Sequence, residues 1–201
     1  MSVVYPQIRT SADLLKSTIR IEDLVPFLQQ QKAEAGAIVN SKLYGLLPFI
    51  SAMKEAKIHP VIGLQVQVEF EEEGILPLIL YAATNEGYRN LLKISSATAI
   101  RASENLPIRW LQSYARGCIA IIPALSSRAL WLEQRCFPFA LQLKEAFGEN
   151  LYVGIARNGK QAEQESFAVA LSEQLAVKII VLHENLYSKQ EDFFAYEVAT
   201  A

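Results

Sequence analysis

Two adjacent side chains stand where hydrolytic chemistry is commonly built. His183 and Glu184 follow the apolar run KIIVL at 178–182, so a strand there delivers both to its carboxyl end, the mouth at which barrel active sites assemble. An imidazole beside a carboxylate could hold one metal ion or exchange a proton. A multi-metal hydrolytic site needs more: several carboxylates to neutralise the cations, with imidazoles completing the shell. The chain has only two histidines, His59 and His183, 124 positions apart. His59 precedes Pro60 at the start of a different apolar run, the opposite end of a strand, and reads as a solvent-facing or capping residue.

Other reactive patterns are sparse. Cys118 and Cys136 are too few and too far apart for a disulfide framework or a zinc cluster, and their apolar surroundings mark them as core thiols in a reducing cytoplasm. Glu69, Glu71, Glu72 and Glu73 read as a solvated hairpin end. RNGKQ at 157–161 lacks the glycine spacing of a phosphate loop and reads as a turn, and no nucleophile elbow, metalloprotease helix or dinucleotide fingerprint occurs. Trp110, Trp131 and Tyr88 lie at helical spacing and read as core.

The elements that must position these residues alternate. Apolar runs at Val3–Ile8, Gly36–Val39, Val61–Phe70, Pro77–Ala82, Cys118–Ile122, Leu151–Ile155 and Lys178–Leu182 predict seven strands. Helical periodicity falls between them at Ile21–Leu28, Leu46–Ala56, Tyr88–Ser95, Arg128–Phe147, Ala162–Leu175 and Glu191–Val198. Such alternation implies a mainly parallel sheet covered by helices. LQVQVEF alternates strictly, and EEEG then leads into PLILYAA with no room for a helix, which predicts one antiparallel hairpin. Arg101–Pro107 reads as a surface loop. We expect one α/β domain over residues 1–201, a distorted seven-stranded (β/α) barrel, and a fragment of a longer protein because EVATA ends in mid-helix.

Composition excludes several classes. With 51% hydrophobic and 20% charged residues in a chain of 201, a core forms without disulfides or metal. No stretch approaches the roughly 18 apolar residues of a membrane span and MSVVYPQIRTSADLL is no signal peptide, so a cytoplasmic protein without membrane contact is expected. Lys and Arg read as scattered and the net charge is −2, which makes the chain a poor autonomous nucleic-acid binder.

Five phrases occur in order: LYG at 43–45, IHPVIGLQV at 58–66, NEGYRNLLKISS at 85–96, RWLQSYARGCIAIIPA at 109–124 and LYVGIARNG at 151–159, with EDFFAYEV following. In this order they resemble the PHP (polymerase and histidinol phosphatase) domain that opens bacterial DNA polymerase III alpha subunits, particularly those of Gram-positive bacteria. PVIG followed by GYRNLLKISS is the distinctive combination, and the resemblance covers essentially the whole chain.

In metal-binding members, the resemblance implies, His, Asp and Glu at one barrel mouth hold divalent cations. Here the opening His-x-His falls on Gln7-Ile8-Arg9, the Asp-His pair on Val39 and Asn40, the acidic residue after PVIG on Gln65, and the closing Asp-x-His on Glu184-Asn185-Leu186. Gln7, Arg9, Val39, Asn40, Gln65 and Leu186 are not ligands of the expected kind, and Glu184 alone keeps a carboxylate. Arg9 also places a fixed positive charge where cations would sit. We therefore expect no catalytic residue and no metal in this domain, with His183 and Glu184 the remaining weak candidates. Gln7, Arg9, Asn40, Gln65 and Glu184 are expected to form a hydrogen-bonded cluster filling the vacated cleft.

The resemblance further implies that the parent protein is a DNA-directed DNA polymerase acting in replication. Its deoxynucleoside triphosphates and magnesium would be bound in other domains, which also contact most of the DNA. This domain would brace the polymerase domains of the same chain and dock partners, which in some relatives include a proofreading exonuclease. The alternative is a residual metal-dependent 3′–5′ exonuclease or phosphoesterase.

Overall fold

A computed structural model of the chain describes residues 3–70, 74–101, 103–123, 137–156, 162–189 and 191–200. In chain order the described elements begin with β1 (Val3–Ile8), α1 (Ile21–Gln30), β2 (Ala33–Asn40), α2 (Leu46–Glu55), β3 (His59–Phe70), β4 (Gly74–Ala82), α3 (Asn85–Ile100), β5 (Leu106–Pro107) and α4 (Ile108–Tyr114). They continue with β6 (Cys118–Pro123), α5 (Phe137–Phe147), a 3-10 turn (Gly148–Asn150), β7 (Leu151–Ile155), α6 (Ala162–Leu175), β8 (Lys178–Val181), β9 (Glu184–Asn185) and α7 (Asp192–Thr200). The chain divides into two units, Met1–Leu64 with His183–Ala201, and Gln65–Leu182.

In the first unit β1, β2 and the first half of β3 run parallel, with Tyr5 opposite Gly36 and Ala35 opposite His59. Parallel neighbours require a crossover, and α1 and α2 supply it. Ile8, Leu24, Leu28, Val39, Phe49, Met53 and Leu64 are all buried. β9 lies parallel on the other side of β1, with Gln7 opposite Glu184 and Ile8 opposite Asn185. That two-residue contact is too short to show any periodicity in sequence.

The second unit contains the rest of β3, where Leu64, Val66, Val68 and Phe70 are buried while Gln67 and Glu69 are exposed, the strict alternation of LQVQVEF made structural. β4 neighbours β3, and a connection at 71–73 is too short for a crossover, so the pair is antiparallel. β4 pairs antiparallel with β6, and β6, β7 and β8 follow in parallel.

The phrase GYRN owes its sequence to one docking point in this unit. Thr84 caps α3 by accepting from the Gly87 N–H at 3.1 Å. The Gly117 carbonyl accepts from the N–H groups of Ala83 and Thr84, and Asn90 Nδ2 donates to the Arg116 carbonyl at 2.9 Å. A Cβ on Gly87 would stand 1.9 Å from the Gly117 oxygen, and Gly117 itself has φ +74° with Thr84 Oγ1 2.3 Å from its missing Cβ. Only glycines permit this approach.

Four expectations change in detail. The seven expected strands are joined by β5 and β9. Arg101–Pro107 is not all loop: Leu106–Pro107 pairs with Val68 and Glu69 of β3, and α4 follows directly, a helix of seven residues too short to announce itself. Lys178–Val181 is a largely exposed strand rather than a buried one, with Ile179 and Val181 open to solvent. Trp110 and Tyr88 are half-buried rather than core. Cys136, Trp131, Glu71–Glu73, the turn at 157–161 and the first part of the expected helix Arg128–Phe147 lie outside the described residues.

Candidate functional site

Among the described residues, six of the eight buried polar or charged side chains lie in one place: Gln7, Arg9, Thr10, Asp13, Ser17 and Asn40. They occupy the carboxyl ends of β1 and β2 and the loop 9–20, all in the first unit. Polar burial is costly unless partnered, and the side chains of Arg9, Thr10, Asp13, Ser17 and Asn40 have partners.

Arg9 anchors the group. Its Nε and Nη2 donate to one oxygen of Glu184 at 3.0 and 2.8 Å, and Nη1 donates to Asp13 in a short ion pair. The side chains of Arg9 and Asp13 are each 8% exposed, that of Glu184 38%. Asp13 also accepts from the Ser41 N–H at 2.9 Å and from the Ser41 hydroxyl. Asn40 Oδ1 accepts from the Thr10 N–H and its Nδ2 donates to Thr10 Oγ1, both at 2.9 Å. Ser17 Oγ lies 2.7 Å from the Arg9 carbonyl and 2.8 Å from that of Leu186, and accepts from the Ile19 N–H.

β9 is held to the same loop through its backbone. Arg9 N–H donates to the Asn185 carbonyl and Thr18 N–H to that of Leu186, while Asn185 Nδ2 donates to the Gln7 carbonyl at 3.0 Å. The structure thus brings Arg9, Asn40 and Glu184 into one polar cluster through Asp13, Thr10 and Ser41. Gln7 is buried opposite Glu184, Val39 is fully buried, Leu186 is half-buried, and His183 and His59 are both exposed. Gln65 is half-buried and begins the second unit.

Asp13, Thr10, Ser17 and Ser41 carry almost no mark of this role in the sequence. Their one sequence signal is RTSAD, a carboxylate four residues after an arginine, and in an irregular loop that spacing carries no geometric meaning.

The residues at the matched positions do not fit a divalent metal. The two carboxylates in reach already face a guanidinium, which cannot be deprotonated or ligate. Among the described residues no three His, Cys, Asp or Glu side chains stand close enough to hold an ion. What the arrangement can do is tie three strand ends together through charge-assisted hydrogen bonds.

The PHP domain family model matches residues 7–158. The chain is 31% identical over 211 positions to DNA polymerase III subunit alpha of Bacillus subtilis, aligning 100% of this chain with 19% of that one. Against the same subunit of Halalkalibacterium halodurans it is 29% identical over 213 positions, again 100% against 19%. The chain therefore spans about a fifth of the length of these curated relatives, and is homologous to their N-terminal region. Among solved structures it is similar to an amidohydrolase from Chromobacterium violaceum, with a TM-score of 0.63, 8% identity and coverage of 98% and 96% of the two chains. It is also similar to PsfC from Pseudomonas syringae, with a TM-score of 0.56, 11% identity and coverage of 91% and 75%. At such identities these two show the fold alone.

Proposed function

This chain belongs to the PHP domain family, and on that footing we propose that it serves a DNA polymerase III alpha subunit as a structural and docking domain without metal chemistry of its own. The observation that carries the reading is Arg9, buried between Asp13 and Glu184 at the position where the resemblance places a metal ligand. A resident guanidinium supplies the positive charge that the carboxylates need, so the strand ends are held without a metal ion. DNA-directed synthesis in replication, with its magnesium and nucleotides, then belongs to other domains of a cytoplasmic polymerase, and a proofreading exonuclease is among the partners such a domain could dock.

The docking half of the proposal is supported by an apolar rim around the cluster. Leu14, Leu15, Tyr44 and Leu47 are each more than 60% exposed. They sit on neighbouring loops, because Asp13 bonds to Ser41 and Gly45 would bring a Cβ to 3.0 Å from Ala12. Leu15 also holds a left-handed backbone, φ +60°, which a leucine adopts only at a cost. The occupant we assign to this rim is the polymerase portion of the same polypeptide; about four-fifths of the Bacillus subtilis relative's length lies outside the part this chain matches.

The test is made in the full-length polymerase. Leu14→Glu with Leu47→Glu should lower its thermal stability while leaving the melting temperature of the domain alone almost unchanged, since exposed substitutions cost about 0.5 kcal/mol or less. Unchanged stability and activity of the full-length variant would reject the rim as the docking surface.

A further inference from the structure

Residues 85–117 contain five basic side chains, Arg89, Lys93, Arg101, Arg109 and Arg116, against two acidic ones, a local charge of +3 in a chain whose net charge is −2. In sequence these look dispersed; α3 and α4 collect them. Arg89 and Lys93 are one helical turn apart, about 6 Å along α3, and Arg101 follows the last residue of that helix, Ile100. Arg116 is engaged with Glu86 at 3.2 Å, and the other four make no ion pair among the described residues.

Two of these cations are held in place. Lys93 Nζ lies 5.5 Å from the centroid of the Tyr114 ring, and the Arg101 guanidinium 5.6 Å from that of Trp110. Both rings are on α4, four residues apart, so the helix pair presents two cations already fixed by aromatic faces. Less side-chain freedom remains to be lost when a ligand binds. One face of each ring is taken by its cation, which favours recognition of phosphate charge over base stacking.

We propose that the α3–α4 face, through Arg89, Lys93, Arg101 and Arg109, binds the phosphate backbone of a nucleic-acid strand. That the polyanion is nucleic acid rests on the proposed place in a DNA polymerase; the row of cations does not. The contact is an auxiliary one, four phosphates wide, beside whatever the polymerase domains hold.

Fluorescence anisotropy of a short labelled single-stranded oligodeoxynucleotide with the 201-residue chain tests it. Four phosphate contacts predict a roughly 50-fold loss of affinity between about 50 and 200 mM salt, and Arg89→Gln, Lys93→Gln and Arg109→Gln together should reduce that salt effect to roughly threefold. Lys54→Gln with Lys57→Gln, in the first unit, should change neither. Binding without salt dependence, equal binding by the triple variant, or a polyglutamate peptide held as tightly as the oligonucleotide would each overturn the proposal. Any of these leaves the docking role standing, because that role is read from the stability of the full-length polymerase and not from DNA binding.

Discussion

Arg9 makes its ion pairs at unequal depth, and the inequality is testable. Asp13 is buried, so removing its cation leaves a desolvated carboxylate with Ser41 as its remaining side-chain donor among the described residues. Breaking a buried pair from one side typically costs about 3–5 kcal/mol, and that is the loss expected for Arg9→Met. Glu184 is more than a third exposed, so Glu184→Ala should cost only about 1 kcal/mol. Urea denaturation midpoints at constant slope measure both; equal losses would mean that Arg9 is not anchored by Asp13. The sequence disclosed Arg9 and Glu184 only because a family motif falls on them. Asp13 and Ser41 were illegible, since an irregular loop and a strand end bring them together without any periodic signal.

Elements carry a second set of expectations. The docking of α3 on Gly117 leaves no room for a methyl group, so Gly117→Ala should destabilise by about 2–3 kcal/mol, combining a left-handed backbone with a clash at Thr84. β6 contributes a pH dependence. Burial pushes the Cys118 thiol up to about 11, and burial likewise raises the Tyr81 phenol on β4. A folded-state value above the unfolded one, about 8.5 for a thiol, means the folded chain keeps a proton that the unfolded chain releases. Stability should therefore be level below about pH 8.5 and decline as pH rises toward 11. Cys118→Ala should flatten that decline, as urea titrations at a series of pH values would record; a stability that rises over this window would contradict the assignment. At this scale the sequence was most legible for β1 and β7, which begin and end at their expected residues, while β3 and β4 begin two and three residues before theirs, at His59 and Gly74. It was least legible for β5 and β9, whose two residues hold no pattern, and for α4, whose seven residues hide behind Pro107.

At the scale of the whole molecule, family and function separate. The same fold is similar to an amidohydrolase at 8% identity, so the fold alone assigns no chemistry, and the reading rests on side chains at one end of β1, β2 and β9. On the proposed reading, the ion pairs of Arg9 hold this domain's strand ends together and leave it to act as a surface. No described helix is long and apolar enough to cross a membrane, and the surfaces proposed for contact are the apolar rim in the first unit and the basic side chains of α3 and α4 in the second.

The most direct test of the central claim is metal content. After incubation of the purified chain with zinc, manganese and magnesium salts and removal of free ions, elemental analysis should find no stoichiometric metal, and Glu184→Ala should change nothing in that result. A stoichiometric ion retained by the chain and lost in Glu184→Ala would contradict the account: the carboxylates would then be serving a metal, and Arg9 would not be its replacement.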